Sequence, residues 1–151
     1  MGVINVQGRV FLEALECPFK TTQQAQETLS GQTRIIVVDI HAEATSEKVA
    51  LGWYLDGKVS AVLGTHTHIQ TADERILPAG TAYITDVGMT GPQDSVIGRK
   101  VEDVLERFIT CIPTRFEVAK ENIQLQGAVL DIDESSGKAK SIERIQRKVD
   151  A

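Results

Sequence analysis

The chain has 151 residues, 42% hydrophobic and 25% charged, with a formal net charge of −5 at pH 7 and a pI near 5.2. That length suits a single domain over residues 1–151 with a real buried core, and the composition is ordinary for a soluble globular protein. An acidic balance without a lysine or arginine cluster argues against a surface that coats nucleic acid or an anionic membrane, while leaving room for a single nucleotide at a metal site.

No apolar run approaches the ~20 residues of a membrane span, and no charged n-region followed by an apolar h-region opens the chain, so the expected location is cytoplasmic. Cys17 and Cys111 are too few and too far apart for a disulfide framework and read as reduced, partly buried thiols.

Val3–Val6 reads as a strand with no lead-in, and a central strand this early suggests that something precedes it. Thr21 or Thr22 is a candidate cap for a helix over Gln23–Leu29, with Gly31 as its stop. Arg34–Ile40 is a continuous β-branched and aliphatic run of the kind that suits a parallel strand covered on both faces. A helix of about ten residues from Ser46 ends at Asp56-Gly57 and offers Val49, Ala50 and Trp53 to the sheet. Val59–Thr65 is the next strand.

After a polar stretch, Thr81–Thr85 is a short strand. It leads into Asp86–Pro92, a loop rich in residues that permit unusual backbone angles. Val101, Val104, Leu105 and Phe108 mark a helix over Lys100–Thr110. Thr114–Val118, Ile123–Gln126 and Ala128–Ile132 alternate as strands do, and Asp133–Gly137 turns the chain into a last strand over Ala139–Arg147. Units of βαβ type followed by an antiparallel ribbon predict an α/β fold with a mixed sheet and flanking helices.

All three histidines, His41, His66 and His68, fall just past the ends of two of these apolar runs. Ligands of open α/β sheets gather beyond the carboxyl ends of the strands, so the cluster points to a metal site. Residues two apart in an extended segment project the same way, about 6.5 Å apart. His66 and His68 could therefore face one metal or serve two adjacent ones. Neutral imidazole suits zinc, iron, manganese or nickel.

Asp39 and Glu43 each lie two residues from His41 and are candidates to orient an imidazole, against the plainer reading of a solvated strand end. Thr45-Ser46 could cap the following helix and turn its amides toward an anion, although a plain cap is the simpler reading. Gly88 and Thr90 lie in the glycine-rich loop, which either shapes a substrate pocket or is a tight connection. Three histidines do not complete a hydrolytic centre. Either a distant residue such as Asp86 contributes, or the remaining ligands are not in this chain.

Three segments carry a resemblance: His41–Lys48 (HAEATSEK), Gly64–Asp73 (GTHTHIQTAD) and Ile84–Pro92 (ITDVGMTGP). In order, together with Asn5–Arg9 and Phe11-Leu12, they resemble the C-terminal portion of the bacterial YmdB-like metallophosphoesterases of the calcineurin-like superfamily. The resemblance covers essentially the whole chain and implies half of an α/β/β/α sandwich. It also implies two metal ions, commonly iron or manganese, that activate a bridging water against a phosphodiester, with 2′,3′-cyclic nucleotides as substrates. By this likeness His41 and His66 would hold one metal and His68 the other.

The family's first half supplies an Asp after its first strand, a Glu-Asn pair and a Gly-Asn-His segment, none of which this chain provides. Glu121-Asn122 falls between late strands, far from the family position. The chain is therefore expected to be the C-terminal half of such an enzyme, with three ligands and an incomplete active site. The alternative is a non-catalytic metal-binding or assembly module, for which three imidazoles would make a zinc site. Loss of the partner sheet would uncover an apolar face, so a homo-oligomer or pairing with a complementary N-terminal half is expected.

Overall fold

The computed structural model describes residues 1–13 and 15–149. In chain order the elements are β1 (Gly2–Gln7), α1 (Pro18–Ser30), β2 (Ile36–His41), α2 (Thr45–Leu55), β3 (Ala61–Thr65), β4 (Arg75–Ile76), β5 (Ala82–Ile84), β6 (Gly91–Pro92), α3 (Val101–Thr110), β7 (Ile123–Ile132) and β8 (Ala139–Lys148). The strands form a five-stranded sheet ordered β1-β2-β3-β5-β4 and a three-stranded sheet ordered β6-β7-β8. In the first, β1, β2, β3 and β5 run parallel and β4 pairs antiparallel with β5. The second is antiparallel throughout.

Two cores follow from the period-2 alternation of the parallel strands. Ile4, Val6, Ile36, Val38 and Ile40 point to the helix side, where they meet Leu51 and Leu55 of α2 and the partly buried Phe19, Ala25 and Leu29 of α1. On the other side Val37, Ala61, Leu63 and Ala82 pack against Leu130, Ile132, Ala139 and Ile142 of the β7–β8 hairpin. The layers are thus helices, mixed sheet and antiparallel sheet, the half sandwich expected from the sequence.

Several sequence expectations change. β1 is the edge strand of its sheet rather than a central one, and Val3, in register with Val37, is 64% exposed. α1 starts at Pro18 behind Cys17, not at Thr21 or Thr22. Proline's fixed φ suits the first turn, and the Thr22 hydroxyl instead donates to the Pro18 carbonyl at 2.6 Å. Gly31 closes α1 in a right-handed conformation.

α2 turns a partly different face to the sheet: of Val49, Ala50 and Trp53, only Val49 packs against the core. Glu47, Lys48, Leu51, Gly52 and Leu55 are buried, whereas Trp53 is half exposed and Ala50 faces solvent. Two charged residues can occupy that face because each has partners. Glu47 accepts the backbone N–H of Arg9 and Val10, and Lys48 meets Asp86. The cap of α2 is Ala44, with no side-chain hydrogen bond, so Thr45 is the helix's first residue and not its cap.

Further along, Thr114–Val118 is not a strand; only Val118 pairs, through a bridge to Arg99. Ile123–Ile132 is one continuous strand rather than two. Cys111 is exposed rather than partly buried.

Candidate metal centre

His41 ends β2 and His66 follows β3, so parallel pairing alone brings them to the carboxyl edge of the same sheet. Their rings stand edge to face, with centroids 4.7 Å apart, and His41 Nε2 lies 2.9 Å from His66 Nδ1. Register supplies the anchors. Thr65 sits opposite His41 and Asn5 opposite Asp39. Thr65 Oγ1 lies 3.1 Å from His41 Nδ1 and donates its proton to Asp39 Oδ1 at 2.9 Å. Asn5 Nδ2 donates to Asp39 Oδ2 at 2.8 Å. Glu43 Oε2 is 3.0 Å from His66 Nε2.

These partners fix the tautomer of His41. The single proton of Thr65 goes to Asp39, so its oxygen accepts from His41 Nδ1–H, and His41 Nε2 is left with a lone pair. Glu43 meets His66 Nε2 as an ion-pair contact. Across the 2.9 Å gap, His66 Nδ1 either donates to His41 Nε2 or, with its proton on Nε2, adds a second lone pair that a cation could bridge.

The spacing is that of adjacent ligands on one ion with bonds of about 2.0–2.1 Å. The residues present therefore fit a divalent metal. His68 is prepared separately: Nδ1 donates to the Ile97 carbonyl at 3.2 Å, leaving Nε2 as its free acceptor. Among the described residues no three His, Cys, Asp or Glu side chains converge closely enough to hold an ion by themselves.

The loop after β3 is bent sharply to achieve this. His66 has φ 112° and His68 φ 66°, a backbone region that costs a non-glycine residue of order 1–3 kcal/mol and is concentrated at functional sites. Thr67 between them donates its N–H to Asp86 Oδ2 at 2.9 Å. Asp86 is not a ligand for the centre: it is fully buried, paired with Lys48, and accepts the Gly88 N–H at 3.0 Å on its other oxygen.

The remaining sequence candidates lie around this core. Thr45 is exposed in the first turn of α2. Gly88 has φ 84°, and a Cβ there would sit 2.2 Å from Gln126 Oε1, so its bare backbone is needed for packing on β7. The Thr90 hydroxyl donates to the Gln126 carbonyl at 3.4 Å. Asp39 reaches His41 only through Thr65. Asn5, Thr65 and Lys48 are contributors that the sequence reading missed. Their signal is polarity at alternate positions of otherwise apolar strands and helices, which by itself does not say which partner lies alongside.

The chain is 56% identical over 145 residues to a 2′,3′-cyclic-nucleotide 2′-phosphodiesterase of Bacillus subtilis (strain 168), covering 96% of this chain and 55% of that protein. A crystal structure of a hypothetical protein from Thermus thermophilus superposes with a TM-score of 0.90 at 42% identity, over 97% of this chain and 56% of that one. A novel phosphatase from Mycoplasma pneumoniae gives 0.88 at 38%, over 97% and 52%. The chain spans about half the length of the curated relatives it matches. A family model described as YmdB-like protein covers residues 1–145, and the chain accordingly belongs to the YmdB-like family.

Proposed function

We propose that this chain carries part of a metal-dependent phosphodiesterase centre acting on 2′,3′-cyclic nucleotides or similar phosphodiesters, with His41 and His66 on one metal and His68 on a second. The observation that carries the reading is the convergence of His41 Nε2 and His66 Nδ1, 2.9 Å apart at the carboxyl edge of the sheet, with Thr65 and Glu43 at their far nitrogens. Iron or manganese is the proposed metal, with zinc as the alternative. Such a cation lowers the pKa of bound water and stabilises charge on phosphoryl oxygens.

The protein's own contribution is orientation. Asp39 acts through Thr65 to present His41 Nε2, Glu43 holds His66, and the Ile97 carbonyl holds His68. Thr45, Gly88 and Thr90 remain the candidates for the substrate side. The missing ligands and proton donor are assigned to the portion of the relatives that this chain does not span. The proposed setting is the cytoplasm; among the described residues no helix is long and apolar enough to cross a membrane.

On this reading the purified chain hydrolyses bis-p-nitrophenyl phosphate poorly, if at all, with manganese or iron, and binds at most one metal tightly. Brisk turnover lost in His66→Ala would show the chain to be catalytically sufficient. Two metals per chain by elemental analysis would contradict the stoichiometry. The exposed apolar side chains of α3 favour an added role in assembly, either with a second copy or with a complementary N-terminal half.

A further inference from the structure

Lys48 Nζ and Asp86 Oδ2 are 2.9 Å apart, with both side chains 0% exposed. A well-packed apolar pair would support the fold as well or better, so an enclosed ion pair is weak evidence of a stabilising device and calls for another role. The contacts of Asp86 supply one. Its Oδ2 takes the N–H of Thr67 at 2.9 Å, the one residue between the two left-handed histidines. Its backbone carbonyl accepts the Thr71 N–H at 3.0 Å, and the neighbouring Val87 N–H bonds the Gly64 carbonyl at 2.9 Å. A Cβ on Gly64 would lie 1.7 Å from the Thr85 carbonyl oxygen, so the strand ends are pressed together with no slack. Lys48 comes from α2, the helix that follows His41 and Glu43. The pair thereby ties the segment after β2 to the turn after β3.

We propose that Asp86 is the positioning residue of the His66–His68 turn and that Lys48 is its counter-charge. By gripping the Thr67 amide, Asp86 holds the left-handed backbone that aims His66 at His41. The inference rests on the metal-site reading above for its consequence, but the grip itself is independent of metal.

The test compares two double variants of the whole chain. Lys48→Met with Asp86→Asn removes both charges and keeps one acceptor oxygen, which serves Thr67 while Gly88 loses its acceptor, as it does in the second variant. Lys48→Met with Asp86→Leu removes the acceptor as well. With cobalt(II) as the probe, followed by its visible absorption, the Asn form should bind within about 3-fold of the unaltered chain. The Leu form should bind about 10–100-fold more weakly, the range found when groups that orient metal ligands are removed. In the metal-free state the Thr67 amide should exchange with solvent at least about 10-fold faster in the Leu form, as expected on loss of a protecting hydrogen bond.

Equal cobalt affinity and equal Thr67 protection in the two forms would overturn the proposal. Should the Leu form fail to fold, Thr67 exchanging at a free-peptide rate in the unaltered chain overturns it alone, and strong protection there supports it. The metal reading fails separately, if His66→Ala leaves cobalt binding unchanged.

Discussion

Two stretches of this chain look alike in pattern and differ in outcome. Between β2 and β5 the apolar positions that face the helices are buried: Ile36 is 2% exposed, Val38 and Ile40 0%. Ile84 of β5 is 0% exposed as well. The polar residues enclosed with them, Glu47, Lys48, Thr81 and Asp86, each have partners. α3 has an equally clear apolar stripe, yet only Val104 is buried, while Leu105 is 50%, Phe108 73% and Ile109 79% exposed. An amphipathic pattern records that a face prefers to leave water; what covers it depends on elements elsewhere. The first stretch covers its own apolar face, and the second leaves one in water.

The largest expected effects therefore lie in the first stretch. Asp86→Ala leaves the Lys48 ammonium buried and unpaired, and should lower unfolding free energy by about 3–5 kcal/mol. Leu51→Ala, at 0% exposure, should cost about 2–5 kcal/mol through lost contacts and the cavity left behind. Leu105→Ala and Phe108→Ala should fall within about 0.5 kcal/mol of the unaltered chain. Denaturant titrations of the four variants check the contrast. A loss at Phe108 as large as that at Leu51 would break it.

Acid should act on the first stretch too. Asp73 accepts the Thr71 hydroxyl at 2.6 Å and the Thr85 N–H at 3.1 Å, bracing the loop that carries the histidines. Burial alone would raise its pKa, but the hydrogen bonds from Thr71 and Thr85 outweigh it and hold the carboxyl below its ordinary value. A carboxylate lowered on folding contributes stability above its unfolded pKa of about 3.9, and loses it as pH falls through the folded value. Asp73→Asn should thus be less stable than the unaltered chain at pH 7, by about 1–2 kcal/mol after allowance for partial exposure. The gap should begin to narrow as pH falls below about 4 and close once pH is below the folded value. A gap of constant size from about pH 7 down through that range would show that shape, not charge, is what Asp73 supplies.

The contrast also explains what the sequence could reveal. The order of strands and helices up to β5 was legible because apolar runs alternate with helical spacing, and the histidines stood out because they follow such runs. The face of α2 was not legible: Glu47 and Lys48 lie on it only because Arg9, Val10 and Asp86 come alongside in three dimensions. Thr114–Val118 alternates like a strand but finds a partner only at Val118. In β4 a two-residue pairing is too short to leave a period. For the site, residue types were visible, whereas the chain from Asn5 through Asp39 and Thr65 to His41 depends on cross-strand register, which no local pattern encodes.

The smallest effect on stability, and the sharpest test of the second stretch, concerns association. Leu105, Phe108 and Ile109, with Ile112 at 61% exposure beyond them, leave a run of large apolar side chains in water, beside a hollow of about 310 Å³ lined by His68, Ile97, Arg99 and Phe116. Such a face lowers its free energy by meeting another, and a second copy is always at hand in a pure solution. Light scattering should return a mass above the 16.5 kDa of one chain, falling toward it when Leu105, Phe108 and Ile109 are changed together to Gln. Gln keeps helix propensity nearly intact, so a shift in mass with little change in unfolding free energy isolates the surface from the fold. A clean monomer before any substitution would mean that the apolar side of α3 tolerates water as it stands.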